Sequence, residues 1–190
     1  IPMKKKQLIQ TLKSSKAVCF MILIVFLFAG QSFGGTAKEI DASADAAMDR
    51  FYKNVKDAKE VVQRSKGMLI MPNVKKGALI VGGEYGQGAL RIGGKTVGYY
   101  SMTSGSLGLQ IGGQAKDVIF AFMSSEALQK FRDSKGWEAG VDGNVALITL
   151  GAGDSAITAM GKDPIVAFVF DVKGLIADIS LKGAKFNKLG

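Results

Sequence analysis

Three places in the chain hold residue types and spacings that could do chemistry. The first is Gly151-Ala152-Gly153-Asp154-Ser155-Ala156, which follows an apolar run, with Asp171 further on at the end of another. In a dinucleotide site, glycines let a pyrophosphate approach a helix N-terminus while a later acid holds the ribose. Here Pro164 follows after barely two turns of helix, and no second βαβ half comes behind it. Gly153-Asp154-Ser155 also has the look of a hydrolase nucleophile block. The chain contains no histidine, so a Ser-His-Asp relay cannot be assembled. A Ser-Lys pair stays conceivable, and nothing singles one out.

The second place is Glu84, an acid inside the glycine-rich stretch Lys66 to Gly94. It is read either as a buried, perturbed group beside a cleft or as an acceptor for backbone N–H groups in a glycine turn. Aspartate and glutamate alone make a metal site only when several converge, and no such cluster stands out. The single cysteine, Cys19, lies early in the N-terminal apolar run, so the rest of the chain has no thiol for catalysis, zinc or disulfides. The expectation is a non-enzymatic protein without cofactor or metal.

The third place is basic. Lys75 and Lys76 are predicted to sit in a turn between strands, and Arg91 and Lys95 flank the Gly93-Gly94 turn. Hairpin tips bearing such residues suit anionic headgroups, and glycine turns add backbone N–H groups around a phosphate. The alternative is ordinary solvated turn lysines.

The elements that must position these residues follow from composition and periodicity. The 190-residue chain is 47% apolar, with 25 glycines and only 3 prolines. Such glycine punctuates apolar runs and marks turns and bulges. Of 25 basic residues, Lys4, Lys5, Lys6, Lys13 and Lys16 precede the first apolar run, leaving 20 against 16 acids. The net charge of +9 is therefore largely N-terminal, and no nucleic-acid partner is expected.

Lysines followed by the apolar Ala17–Ala29 read as an export signal, with small-x-small cleavage candidates giving a mature start near Gly35 or Lys38. An uncleaved anchor is the alternative, because Ala17–Ala37 carries no charge. The expected organisation is a signal peptide over 1–37 and a single domain over 38–190. The product would be periplasmic or secreted, and peripheral to the membrane.

Ile40, Ala44, Ala47, Phe51, Val55, Ala58 and Val62 form one apolar stripe, so a helix is predicted from Ile40 to Ser65. Its basic face carries Arg50, Lys53, Lys56 and Arg64, balanced by i,i+4 acids, which favours a solvated face over a membrane-surface one. Short strands follow at Met68–Met71, Ala78–Val81, Ala89–Ile92, Val97–Met102, Leu107–Ile111 and Val118–Met123, with Pro72-Asn73 and Gly86–Gly88 among the separators. A second helix is predicted from Ser124 or Ser125 to Ser134. Strands are then expected at Val145–Leu150, Ile165–Asp171 and Leu175–Leu181, with Lys173-Gly174 as a hairpin turn. The fold class is α+β, mainly antiparallel β, sandwich or barrel-like, with a long N-terminal helix and one or two short ones.

Lys66-Gly67-x-x-Ile70-x-Pro72-Asn73-Val74, Gly77 and Val81-Gly82-Gly83-Glu84-Tyr85-Gly86-x-Gly88-x-Leu90 resemble the core of the SYLF-domain family. Gly98-Tyr99-Tyr100-Ser101, Gly108–Gln114, Glu126-Ala127-Leu128-x-x-Phe131 and Lys173-Gly174-Leu175 continue the resemblance, across Ala42–Leu189. Tyr99-Tyr100 departs from the Tyr-Trp common there. The resemblance implies a lipid-binding module: eukaryotic members bind phosphoinositides and some bind actin filaments, while bacterial members are often exported. The expected function is binding of anionic phospholipid headgroups at a membrane surface. The alternative is an envelope structural or assembly protein that meets a protein partner, for instance through exposed strand edges.

Overall fold

The computed structural model describes residues 35–76, 83–105, 114–173 and 181–190. Residues 35–190 belong to one compact unit. Helix α1 runs Ala37–Asn54 and α2 Ala58–Arg64. Strands β1 (Gly67–Lys76), β2 (Gly83–Ile92), β3 (Lys95–Gly105) and β4 (Gln114–Phe122) precede α3 (Ser125–Asp133). Then come β5 (Trp137–Glu138), β6 (Ala146–Thr149), α4 (Ala156–Ala159), β7 (Ile165–Lys173) and β8 (Lys185–Lys188). The strands form one sheet in the order β5-β8-β3-β2-β1-β4-β7-β6, curled into a half-barrel. The α+β class is as expected.

Alternation along the strands explains why both faces are buried. In β4 and β7, Val118, Phe120, Phe122, Ile165, Ala167 and Val169 point to the inner face of the curl. Ile119, Ala121, Val166, Phe168 and Phe170 point to the face covered by α1, α2 and α4. Strands covered on both sides read as continuous apolar runs, which is why IVAFVF carries no polar residue. On the inner face, Phe131 of α3 packs against Tyr100, Phe122, Trp137 and Phe186 at centroid distances of 4.9, 5.0, 5.5 and 5.9 Å. On the helix face, Phe51 lies 5.1 Å from Phe170 and 5.8 Å from Phe168.

Several sequence expectations are corrected. The long helix is broken at 55–57. Asp57 takes a left-handed conformation (φ 61°), and the 151–156 segment docks into the gap. Lys56 N–H donates to the Asp154 carbonyl at 2.9 Å, Ala156 N–H to the Lys56 carbonyl at 3.1 Å and Gly153 N–H to the Asn54 carbonyl at 2.8 Å. The Ser155 hydroxyl donates to Asp57 at 2.5 Å. An unbroken helix would satisfy its own backbone there and leave that segment unpaired. Of the predicted i,i+4 pairs, Glu60–Arg64 forms.

Pro72-Asn73 does not separate strands. It is a bulge inside β1, where the register to β4 shifts between Met71 and Val74 and Asn73 has φ 49°. Proline cannot donate to the ladder, so the shift occurs where it stands. Gly86–Gly88 likewise lie within β2. Pairing is antiparallel throughout except that β6 runs parallel to β7. β5 and β8 are short strands not foreseen individually. The helix after Ser124 forms as expected, with the Ser124 hydroxyl accepting from Ala127 N–H at 3.1 Å. The predicted strands at 78–81 and 107–111 lie outside the described residues, as do 175–180 and Gly174.

Candidate functional site

The ladders define two ends of the sheet. At one, Lys76 is the register partner of both Glu84 and Gln114, Gly83 pairs with Gly105, and Ala115 pairs with Lys173. At the other, Ile92 pairs with Lys95 and Gly67 with Phe122. The first end gathers most of the internal ionic chemistry.

Neighbouring residues of β4 serve opposite faces there. Lys116, on the inner face, lies 3.0 Å from Glu84 of β2, and their side chains are 5% and 6% exposed. Glu84 Oε2 is buried and has no hydrogen-bond partner among the described residues. A buried acceptor left unmade costs about 1–3 kcal/mol, and a buried pair is weak ground for stability. Asp117, next along, turns to the helix face. It accepts from Arg50 of α1 at 2.7 Å and from Asn73 N–H at 2.9 Å, so it holds the β1 bulge in place. Arg50 also reaches Asp171 at 3.1 Å. Asp171 stands at φ 48°, where the β4–β7 register shifts.

Beside this network, Lys75 and Lys173 are both register partners of Ala115, one on each neighbouring strand. Register partners share a face, and two strand spacings set the lysine backbones about 10 Å apart. Lys75 is exposed and Lys173 is 66% exposed. The small Ala115 between them leaves an open cationic notch. The nearby acids, Asp117 and Asp171, are held by Arg50, and Asp171 also lies 3.6 Å from the Lys173 ammonium.

The four basic residues singled out from sequence fall at opposite ends. Lys75 and Lys76, expected in a turn, are instead the last two residues of β1, at the ionic end, where they continue the ladders to β2 and β4. Arg91 and Lys95 lie roughly 25 Å away along β2 and β3. Lys95 is exposed. Arg91 is tied to α1, 2.7 Å from Asp45 and 3.7 Å from Asp41. Sequence reasoning missed Lys173 and Lys116 as site residues: Lys173 was read as part of a hairpin turn, Lys116 stands just ahead of an apolar run, and only register aligns them. Glu84 was legible as an acid among glycines.

Asp41 carries a second polar cluster. Its carboxylate accepts from the Thr96 and Tyr99 hydroxyls, each at 2.7 Å. These bonds, the Thr96 one first, and nearby Arg91 hold Asp41 below the usual carboxylate range, and the Asp41 bond pushes Tyr99 up. The folded state thus favours ionised Asp41: its contribution is present above about pH 4 and is lost as pH falls through the folded value. Tyr99 contributes below about pH 10 and stops as pH rises through its raised value. Asp41→Asn is expected to flatten the acid limb of stability. Urea unfolding from pH 5 to pH 2 would show the wild-type advantage shrinking. Parallel curves would reject the assignment.

The Gly151–Ala156 block is accounted for by its local bonds. Gly151 N–H donates to Asp154 at 2.7 Å, and Ser155 caps the four-residue α4. Among the described residues no three His, Cys, Asp or Glu are grouped to hold a metal, and no helix is long and apolar enough to cross a membrane.

At one rim of the curled sheet, then, the ionic groups are paired with one another, with Lys75 and Lys173 exposed beside them. Residues 103–188 match the family model Ysc84, described as Las17-binding protein actin regulator, and the chain is consistent with a SYLF-domain family member. That family is known for binding and not for catalysis, which supports a non-enzymatic binding role. No curated protein matches the chain.

Proposed function

We propose that the protein binds anionic phospholipid headgroups at a membrane surface through the ionic end of its sheet. In this reading it is exported, to the periplasm or beyond, as a single domain over 38–190, and stays peripheral to the membrane. The observation that carries the reading is the exposed pair Lys75 and Lys173, set across Ala115, with Asp117 held by Arg50 and Asp171 shared between Arg50 and Lys173. A phosphate meets two exposed ammonium groups there, and the one nearby carboxylate that touches Lys173, Asp171, is also held by Arg50. Arg91, paired with Asp41 and Asp45, contributes to packing α1 on the sheet instead.

Each basic residue near an anionic surface is worth about 1 kcal/mol. Lys75→Ala/Lys173→Ala is therefore expected to weaken binding to phosphatidylglycerol vesicles by about 30-fold. Lys95→Ala, at the far end, serves as the reference. Flotation with the purified mature protein measures this. Equal flotation of the double variant and the wild type would remove the notch from the site.

A further inference from the structure

We propose that the outer edge of β6 pairs with an extended, uncharged segment of a partner protein, which lies as an added strand in the cleft across the open side of the half-barrel. Among the described residues β6 ends the strand order, with β7 its one neighbour. Leu150 N–H donates to the Val169 carbonyl at 2.8 Å. In a parallel ladder the backbone groups turn to alternate sides from one residue to the next. Ala146 and Ile148 therefore also bond to β7, while Leu147 and Thr149 present N–H and C=O to the open side. No bond reaches those groups among the described residues, and Thr149 is exposed.

Sheets usually blunt their edges with charge, proline or shortness. The opposite edge does so: β5 has two residues, and its Glu138 lies 3.6 Å from Lys185. The β6 edge does not. From Gly143 to Gly153 there is neither a charge nor a proline.

The cleft beside this edge supplies the room. Its volume is about 570 Å³, with Val145, Ala146 and Leu147 on one wall and Ala139 and Leu181 on the other. Ala139 follows β5 and Leu181 precedes β8, so the far wall belongs to the other side of the curl. A single extended chain fits between such walls, whereas a second copy would bring its own sheet and helices into the gap along with its β6. Donors and acceptors repeating every two residues match another extended backbone. Val145 and Leu147 pack on the inner core and are only partly buried, so the row of partner side chains facing them is apolar. Asp163 and Lys182 line the same cleft with opposite charges, which leaves no net sign for a charged segment to match. Lys75 and Lys173 take no part, so the edge and the headgroup site stand or fall separately.

The probe is a peptide of alternating valine and threonine with a lysine at each end, added to the purified protein and followed by amide hydrogen exchange. In the free protein, Leu147 and Thr149 amides are expected to exchange at least about tenfold faster than those of Ala146 and Ile148. Saturating peptide is expected to bring the first two level with the second two. Thr149→Pro removes an outward donor and spares the bonds to β7, and is expected to weaken peptide binding at least about tenfold. Thr149→Val keeps the N–H and is expected to bind like the wild type. Thermal melting checks that both fold. The same peptide N-methylated at every residue has no backbone donors and is expected not to bind, a comparison that needs no variant. Leu147 and Thr149 amides that the peptide leaves unchanged, or that are protected in the free protein at every concentration, overturn the proposal. So does equal binding of the methylated peptide. Protection that rises with protein concentration alone would give the edge to a second copy and overturn the choice of partner.

Discussion

Gly88→Ala is expected to destabilise the protein by at least about 3 kcal/mol, roughly 10 °C in Tm. Gly88 lies in β2 on the inner face, paired with Tyr100. A Cβ built there comes 2.0 Å from the Ile70 carbonyl oxygen and 2.5 Å from Met71 Sδ. The sulfur could move, but the carbonyl belongs to β1 and is held by the sheet. Its approach follows from the bulge, because the β1–β2 register shifts between Ile70 and Lys75. Relief requires the two middle strands to part, and both cores pack on them. Gly105→Ala is the matched control: a Cβ there meets nothing within 4 Å, and its φ is not positive. It should stay within about 0.5 kcal/mol of the wild type. If Gly88→Ala melts with Gly105→Ala, the close approach of β1 and β2 is wrong.

The second large effect concerns the buried pair. Lys116→Met alone strands the Glu84 carboxylate on an apolar face, and breaking a buried pair in this way costs about 3–5 kcal/mol. Replacing both partners removes the uncompensated charge as well as the orphaned Oε2, so Glu84→Met/Lys116→Met is expected to lie within about 1 kcal/mol of the wild type or above it. The two substitutions together thus cost less than one of them. Urea unfolding of the two variants and of Glu84→Met completes the cycle. Additive losses would show that the two side chains do not depend on each other.

Much of the frame was legible in the residues. The apolar stripe from Ile40 to Ala58 is the buried side of α1 and of the break after it. Ser124 and Glu126 announced α3. The uninterrupted run at Ile165–Phe170 announced a strand buried on both faces. Local chemistry suffices for these, because capping and periodicity depend on residues within a few positions of each other. Glycine was read less well. Gly86 and Gly88 look like turn residues in isolation, yet they serve close packing of β1 on β2, a demand made by a strand more than ten residues away. The break at Asp57 escaped for the same reason: its partner is Ser155.

What the residue order determined alone is the kind of chemistry on hand. With no histidine and cysteine only at position 19, residues 35–190 draw their ionic chemistry from lysine, arginine, aspartate and glutamate. Which of them meet was decided only by tertiary structure. Strand register sets Lys75 beside Lys173 and Glu84 beside Lys116, and places Arg91 at the far end under α1. Register depends on bulges at Asn73 and Asp171, and a shift of one residue sends a side chain to the opposite face, so no local pattern encodes the pairing.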